Sequence, residues 1–211
     1  MSAFTHTIPL FLASFGISFL AHQGKAQPEA QMPKDSLLVQ SKRKEKDDFF
    51  KSKLSPLSKK DKRKFKGLSY FDYQDSYRVR ASLEKFPGSE FIIIQKTQNR
   101  SKYRKYGVLK FVLEGKVFQL LALQKVTFGS LGQKINKLFV PFWDASNGRH
   151  TYSGGRYLEV PLIEKPLFID FNQAYNPYCV YNPAYICPIP PLQNRLEIAI
   201  LAGEKNYKTK N

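Results

Sequence analysis

The chain predicts a mainly β fold: a single antiparallel β-sandwich or barrel-like domain preceded by one or two short N-terminal helices. Three observations carry this. From Leu68 onward the apolar pattern repeats every two residues, with Tyr77, Val79, Ala81 and Leu83 alternating with Arg78, Arg80 and Ser82; that is the period of a strand with one buried face. The apolar segments are short, and no helical pattern lies between them to supply the crossovers a parallel sheet requires. Composition agrees: of 211 residues, 42% are hydrophobic and 14% aromatic, enough for a core and unlike a disordered chain, a collagen repeat or a coiled coil.

Taken in order, Ile8–Ala21 is an uncharged apolar run. It is shorter than the ~20 residues a bilayer span needs and fits the ~7–15 of a signal-peptide core. Gly24-Lys25-Ala26 then offers small residues at the two positions a signal peptidase reads. Residues 1–26 are therefore expected to be a signal peptide, with the mature chain beginning at Gln27 in the periplasm or outside the cell. Residues 27–35 read as a flexible leader. Within the basic helical segment 36–67, Asp35 or Ser36 can cap a helix running to about Ser52, with Leu38, Phe49 and Phe50 as its apolar contacts. Pro56 interrupts, Leu57–Lys64 suits a second short helix, and Gly67 ends it. Between Lys34 and Lys66 stand 13 Lys or Arg against five acidic residues, a large part of the whole chain's formal charge of +17.

The β domain, 68–211, opens with the alternating Tyr77–Leu83 strand, followed by Phe91–Ile94. Val108–Leu113 and Val117–Leu123 flank Glu114-Gly115-Lys116, a hairpin signal. Leu138–Phe142, Tyr157–Ile163, Leu167–Phe171 and Arg195–Leu201 complete a set of short strands. Lys102–Gly107, KYRKYG, interleaves basic and aromatic residues as single-strand nucleic-acid binders do, but reads more simply as a strand with alternating faces. No later segment is long and apolar enough to span a membrane, so no transmembrane helix is expected in the mature chain.

Two stretches, Phe139–Tyr157 and Phe168–Leu192, mix aromatic, amide and carboxylate groups with Gly and Pro. Polar groups so dense among aromatics must be exposed or satisfy one another. Asp144 and Asp170 are the candidate catalytic acids or bases. Asp144 also suits a simpler role, accepting backbone N–H bonds in the Ser146-Asn147-Gly148 turn. Gly154-Gly155 beside Arg156 suits either an anion nest or a bend in a strand. Candidate binding residues are Trp143, Asp144, Tyr152, Arg156, Asp170, Asn172, Tyr175, Asn176, Tyr178 and Asn194. Cys179 and Cys187, in an exported chain, are expected to form a disulfide closing a small loop, worth about 2–3 kcal/mol; two buried thiols are the alternative. His150 is the one histidine outside the export signal, and no metal-ligand spacing is present. Nothing specifies a cofactor.

Several segments together resemble an uncharacterised bacterial family, domain of unknown function 1684. They are FVPFWDASNGRHTYSGGRYLEV at Phe139–Val160, LFIDFNQAYNPYCVYNPAYICPIPPLQNRLEIAILAGEK at Leu167–Lys205, SPL at Ser55–Leu57 and FKGLSYF at Phe65–Phe71. The resemblance spans about Ser36–Tyr207. The family's pattern includes an Asp like Asp144, Gly-Arg-Tyr like Gly155–Tyr157, the stretch containing Asp170, Asn172, Tyr175 and Asn176, both cysteines, and an Asn like Asn194. Where His150 stands, the pattern usually has an acidic residue, which argues against catalysis by His150.

The expected function is a small-ligand-binding or structural domain of the bacterial cell envelope. Its pocket would be walled by Trp143, Tyr152, Tyr175 and Tyr178 and anchored by Asp144, Arg156, Asp170 and Asn172. One alternative is a hydrolase-like enzyme with Asp144 or Asp170 as general base and Arg156 holding a negative substrate. Another is binding of an acidic envelope polymer through the basic segment. An extracytoplasmic location disfavours nucleic acid as the partner.

Overall fold

The computed structural model describes Met1 and residues 34–88, 90–93, 102–126, 136–162 and 165–207. The expected signal peptide with its cleavage site, the leader as far as residue 33, and the strand ends at Ile94 and Ile163 lie outside the described residues. Among the described residues, no helix is long and apolar enough to cross a membrane.

Helix α1 spans Lys34–Lys51, with Asp35 in its first turn and Lys51 in its last, each at the end of the helix dipole that favours its charge. Its buried residues are Ser36, Val39 and Phe50. Leu38, expected inside, is 48% exposed while Val39 is 1% exposed. The apolar pattern was too sparse to fix the face, and inward-reaching cations fix it instead. Lys42 Nζ donates to Gln173 Oε1 at 2.6 Å, and Arg43 donates to the Phe71 and Asn172 carbonyls at 3.0 and 3.2 Å. Lys46 pairs with Glu204. Val39, Arg43, Lys46 and Phe50 thus form one stripe at helical spacing. Of the cations of α1, Arg43 and Lys46 are therefore directed inward, while Lys44 and Asp48 remain an exposed i,i+4 pair.

Helix α2 spans Lys59–Lys64 and is capped by Ser58, whose hydroxyl accepts the Asp61 N–H at 3.1 Å. Phe50, Leu57 and Tyr181 form a buried cluster, with Phe49, Phe65 and Tyr207 packed against it. This cluster docks α1 and the turn leading to α2 on the segment that follows the last strand.

Among the described residues seven strands make one sheet: β1 (Arg78–Lys85), β2 (Phe91–Ile93), β3 (Lys102–Leu113), β4 (Lys116–Val126), β5 (Lys137–Phe142), β6 (Arg156–Pro161) and β7 (Phe168–Asp170). Their order is β6-β5-β4-β3-β1-β7, with β2 added beside β3. Every pair is antiparallel. The β3–β4 hairpin turns on Glu114 and Gly115, both at positive φ (50° and 72°), the conformation a two-residue hairpin needs. Lys102–Gly107 is the start of β3, a strand as the alternating pattern suggested.

The two ends of the sheet meet. Past β7 the chain crosses to β6, where Tyr157 N–H donates to Tyr175 O at 2.9 Å and Tyr175 N–H donates back to Tyr157 O at 3.0 Å. The result is a nearly closed barrel. Leu109, Phe111, Leu120, Val140, Phe142, Leu158 and Ile169 fill it together with Phe171 and Ile200; full burial of each such side chain contributes roughly 1.5–3 kcal/mol. In β4 the run Leu120–Leu123 is buried on both faces, because Leu121 and Leu123 join Tyr103 in a second cluster against Phe139.

Arg195–Leu201 corrects the expectation of a last strand. Among the described residues it pairs by backbone with the stretch just after Phe142, through a bridge between Trp143 and Arg195 and an Ala145 N–H donating to Ile198 O at 3.0 Å. Its alternating RLEIAIL pattern places Leu196 and Ile200 in the core, but side chains, rather than a neighbouring strand, take up much of its backbone hydrogen bonding.

Candidate functional site

Arg156, at the start of β6, is completely buried, and its ion-pair partner Asp144 is too (side chains 0% exposed, Nη2 to Oδ2 2.9 Å). The guanidinium also donates to the carbonyls of Ile200 (2.8 Å), Ala202 and Glu204. Asp144 Oδ1 accepts the N–H groups of Ser146 (2.8 Å) and Ile200 (3.1 Å). Burial pulls the Arg156 pKa below its ordinary value, with Asp144 acting in the opposite direction. All these bonds hold the C-terminal segment inside the barrel mouth and leave no face of either group to solvent. The Asp144 turn is closed by Asn147, whose Oδ1 accepts the Asp144 N–H at 2.7 Å.

Gly155 sets Arg156 up. It has φ +89°, and a Cβ there would stand 2.6 Å from Phe142 O and 2.9 Å from Trp143 Cδ1. Gly155→Ala should destabilise the domain by about 2 kcal/mol through backbone strain and the clash, read as a shift in the urea midpoint.

The other sequence-selected amides and acids are also engaged internally. Asp170 Oδ1 accepts from Asn172 N and Nδ2 (3.0 Å each), and Oδ2 accepts from Gln173 Nε2 at 2.7 Å. Asn172 bonds both backbone groups of Gln74. Asn176 donates its backbone N–H to Glu204 Oε2 and its Nδ2 to Lys205 O, both at 2.9 Å. Asn194, fully buried, acts as a strand surrogate: its Oδ1 accepts Leu121 N–H, and its Nδ2 donates to the carbonyls of Leu121 and Pro141. Trp143 carries the Arg195 guanidinium over its ring at 4.9 Å.

Tyr175 and Tyr178 stand apart from this lattice. Together with Asn172 they border a cleft of about 610 Å³ between α1 and the β6–β7 closure, also lined by Phe49, Tyr70, Arg43 and Lys46. Phe49 and Tyr178 stack with ring centroids 6.5 Å apart, and Tyr178 is 39% exposed. Lys46 Nζ lies 4.7 Å from the Tyr175 ring centre. Glu204 closes the floor: Tyr181 O–H donates to its Oε2 at 2.5 Å and Lys46 takes the other oxygen. Arg43 Nε is buried with no hydrogen-bond partner among the described residues. Burial lowers the Arg43 pKa, opposed mainly by Tyr70.

Arg43, Lys46, Phe49 and Glu204 are not among the sequence-selected pocket residues: Phe49 reads as an apolar contact of the helix, and Arg43 and Lys46 as part of the basic segment. The basic helix reads as a solvated face. The one available signal for Glu204 is an acid among small and apolar residues in Leu201–Glu204.

Tyr152 and the two cysteines form a separate cluster. Cys179 N–H donates to Cys187 Sγ at 3.1 Å, and both cysteines are thiols in this structure. The hydrogen bond with Cys187 draws the Cys179 thiol down to about 7 against the effect of burial, with the Tyr152 hydroxyl assisting; Cys187 is pushed up by Cys179 and by burial. His150 is exposed, in the turn after Gly148. Among the described residues no group of three or more His, Cys, Asp or Glu side chains could hold a metal ion.

The model of a family described as a protein of unknown function, DUF1684, matches residues 63–205. Among solved structures the chain is similar to the solution NMR structure of an uncharacterized protein from Haloarcula marismortui. The TM-score is 0.65 at 34% sequence identity, over 80% of this chain and 92% of that one. No curated protein matches.

Proposed function

The chain belongs to the DUF1684 family of proteins of unknown function, and we propose that it is a ligand-binding domain whose site is the cleft beneath α1. The observation that carries this reading is that the aromatic walls Phe49, Tyr175 and Tyr178 meet the cationic side chains of Arg43 and Lys46 around one cleft. Such a cleft suits a small molecule with a flat apolar body and one anionic group. Asp144, Arg156, Asp170 and Asn194 serve as the frame that builds it.

The probe is anilinonaphthalene sulfonate, a flat aromatic anion. Its fluorescence should rise on titration with one-to-one stoichiometry, and Tyr178→Ala should weaken binding about fivefold, the worth of one aromatic contact. Unsaturable binding, or identical affinity in Tyr178→Ala, contradicts the assignment.

The same proposal places the domain in the cell envelope, on the strength of the Ile8–Ala26 segment. Mass spectrometry of chain recovered from the periplasm or medium should find it beginning at Gln27; an uncut chain confined to the cytoplasm contradicts export. There Cys179 and Cys187 would pass two electrons and two protons to a disulfide oxidant and become a disulfide, an outcome supported by their hydrogen-bonded placement. In the reduced protein Cys179 should be alkylated by iodoacetamide before Cys187. Its rate should rise with pH over a range below that of an ordinary thiol, because the hydrogen bond with Cys187 lowers the Cys179 pKa and only the thiolate reacts.

A further inference from the structure

A second cleft, of about 660 Å³, lies on the side of the fold formed by the end of α2, the Phe65–Ser69 segment, the Arg149–His150 turn and the C-terminal Lys205–Tyr207 segment. Three backbone or amide contacts stitch these walls together. Lys205 N–H donates to Ser69 O at 2.8 Å, Asn206 N–H donates to His150 O at 3.0 Å, and Asn206 Nδ2 donates to Arg149 O at 3.3 Å. Four permanent cations line it: Lys64, Lys66, Arg149 and Lys205. All four are exposed, and among the described residues none forms an ion pair. Lys205 Nζ lies 4.9 Å from the centre of the Phe71 ring.

Two carboxylates share the cleft, and both are committed. Asp47 Oδ1 accepts the Leu68 N–H at 2.9 Å, and Asp61 accepts the Ser58 hydroxyl at 2.5 Å. Four cations against two carboxylates leave the charge balance positive, and one oxygen of each carboxylate is taken by its own neighbour. Four cations drawn from three separate chain segments, held by backbone bonds around one concavity, differ from the charge run of the basic segment. Like charges so gathered repel unless an anion is placed among them.

We propose that this cleft binds a soluble small molecule carrying clustered phosphate groups. Arg149 supplies the forked donors and Lys64, Lys66 and Lys205 the point charges that phosphate oxygens accept. The site is distinct from the aromatic cleft beneath α1 and does not depend on it.

The test is calorimetric titration of the full chain with inorganic tripolyphosphate at low salt. Saturable binding is expected, weakening as salt rises. Arg149→Ala with Lys205→Ala should weaken it at least about tenfold, as loss of two charge-assisted contacts implies. Removing the same charge from exposed positions elsewhere, Lys116→Ala with Lys125→Ala, should change it less than about twofold. Both positions lie on β4, away from the cleft residues. Equal weakening by the two double variants would show attraction to overall positive charge only and overturn the assignment, as would an absence of saturable binding. Phosphatidylglycerol vesicles sedimenting with wild-type chain but not with the Arg149/Lys205 variant, in the absence of tripolyphosphate binding, would also overturn it in favour of a membrane surface.

Discussion

Arg156→Ala should be the most damaging single substitution in the domain, lowering its unfolding free energy by about 3–5 kcal/mol, the range for breaking a buried ion pair by removing one partner. Asp144 would be left charged in a site where its side chain is 0% exposed. The carbonyls of Ile200, Ala202 and Glu204 would lose the donor that gathers them. Alanine also leaves a void below Phe142, whose ring centre lies 5.5 Å from the guanidinium carbon. Asp144→Asn should cost less, because an amide oxygen still accepts the Ser146 and Ile200 N–H groups. Urea unfolding monitored by tyrosine and tryptophan emission measures both. A loss under about 1 kcal/mol for Arg156→Ala would mean that the pair adds little beyond its own desolvation cost.

Glu204→Ala should cost about 3 kcal/mol and should loosen α1 in particular. Glu204 is 1% exposed and receives three donors from three parts of the chain: Lys46 on α1, the Asn176 backbone N–H and the Tyr181 hydroxyl. The first could swing to solvent, since the Lys46 side chain is 22% exposed. The other two would be stranded. Hydrogen exchange should therefore accelerate across α1 and around Asn176, with β3 and β4 unchanged. Glu204→Gln should fall between the two, because it keeps an acceptor but loses the ion pair. Equal protection of α1 in wild type and Glu204→Ala would contradict the anchoring role.

Much of the barrel is written locally in the chain. The β3–β4 hairpin shows its period-two strands and its Glu114-Gly115 turn within one short window, and α1 shows its ends. The orientation of α1 is not local. Apolar residues confined to Leu37–Val39 and Phe49–Phe50 cannot choose a face, and the choice of Val39 over Leu38 follows from acceptors at Phe71, Asn172 and Glu204 far along the chain. Arg195–Leu201 misleads for a related reason: alternation reports which side chains are buried, not which groups receive the backbone bonds. A guanidinium can replace a neighbouring strand, and nothing near residue 200 announces Arg156.

The candidate site divides along the same line. Density of amides and acids among aromatics marked Asp144, Arg156, Asp170, Asn172, Asn176 and Asn194; the structure engages each in internal hydrogen bonds, with Asp170 half-buried and Asn172 also bordering the cleft. Tyr175 and Tyr178 came from the same stretch and border open space. Their partners Phe49 and Lys46 lie more than a hundred residues earlier, in a helix whose charge hides its inward stripe. Sequence proximity could group the first set but not the second.

The most direct test of the cleft beneath α1 is a nuclear magnetic resonance titration of isotopically labelled chain with anilinonaphthalene sulfonate. Shift changes concentrated in the amides of Arg43, Lys46, Phe49, Tyr175 and Tyr178, with those of Arg149 and Lys205 unmoved, are the result the account predicts. Changes spread evenly over the sheet, or gathered at the β3–β4 hairpin, would contradict it.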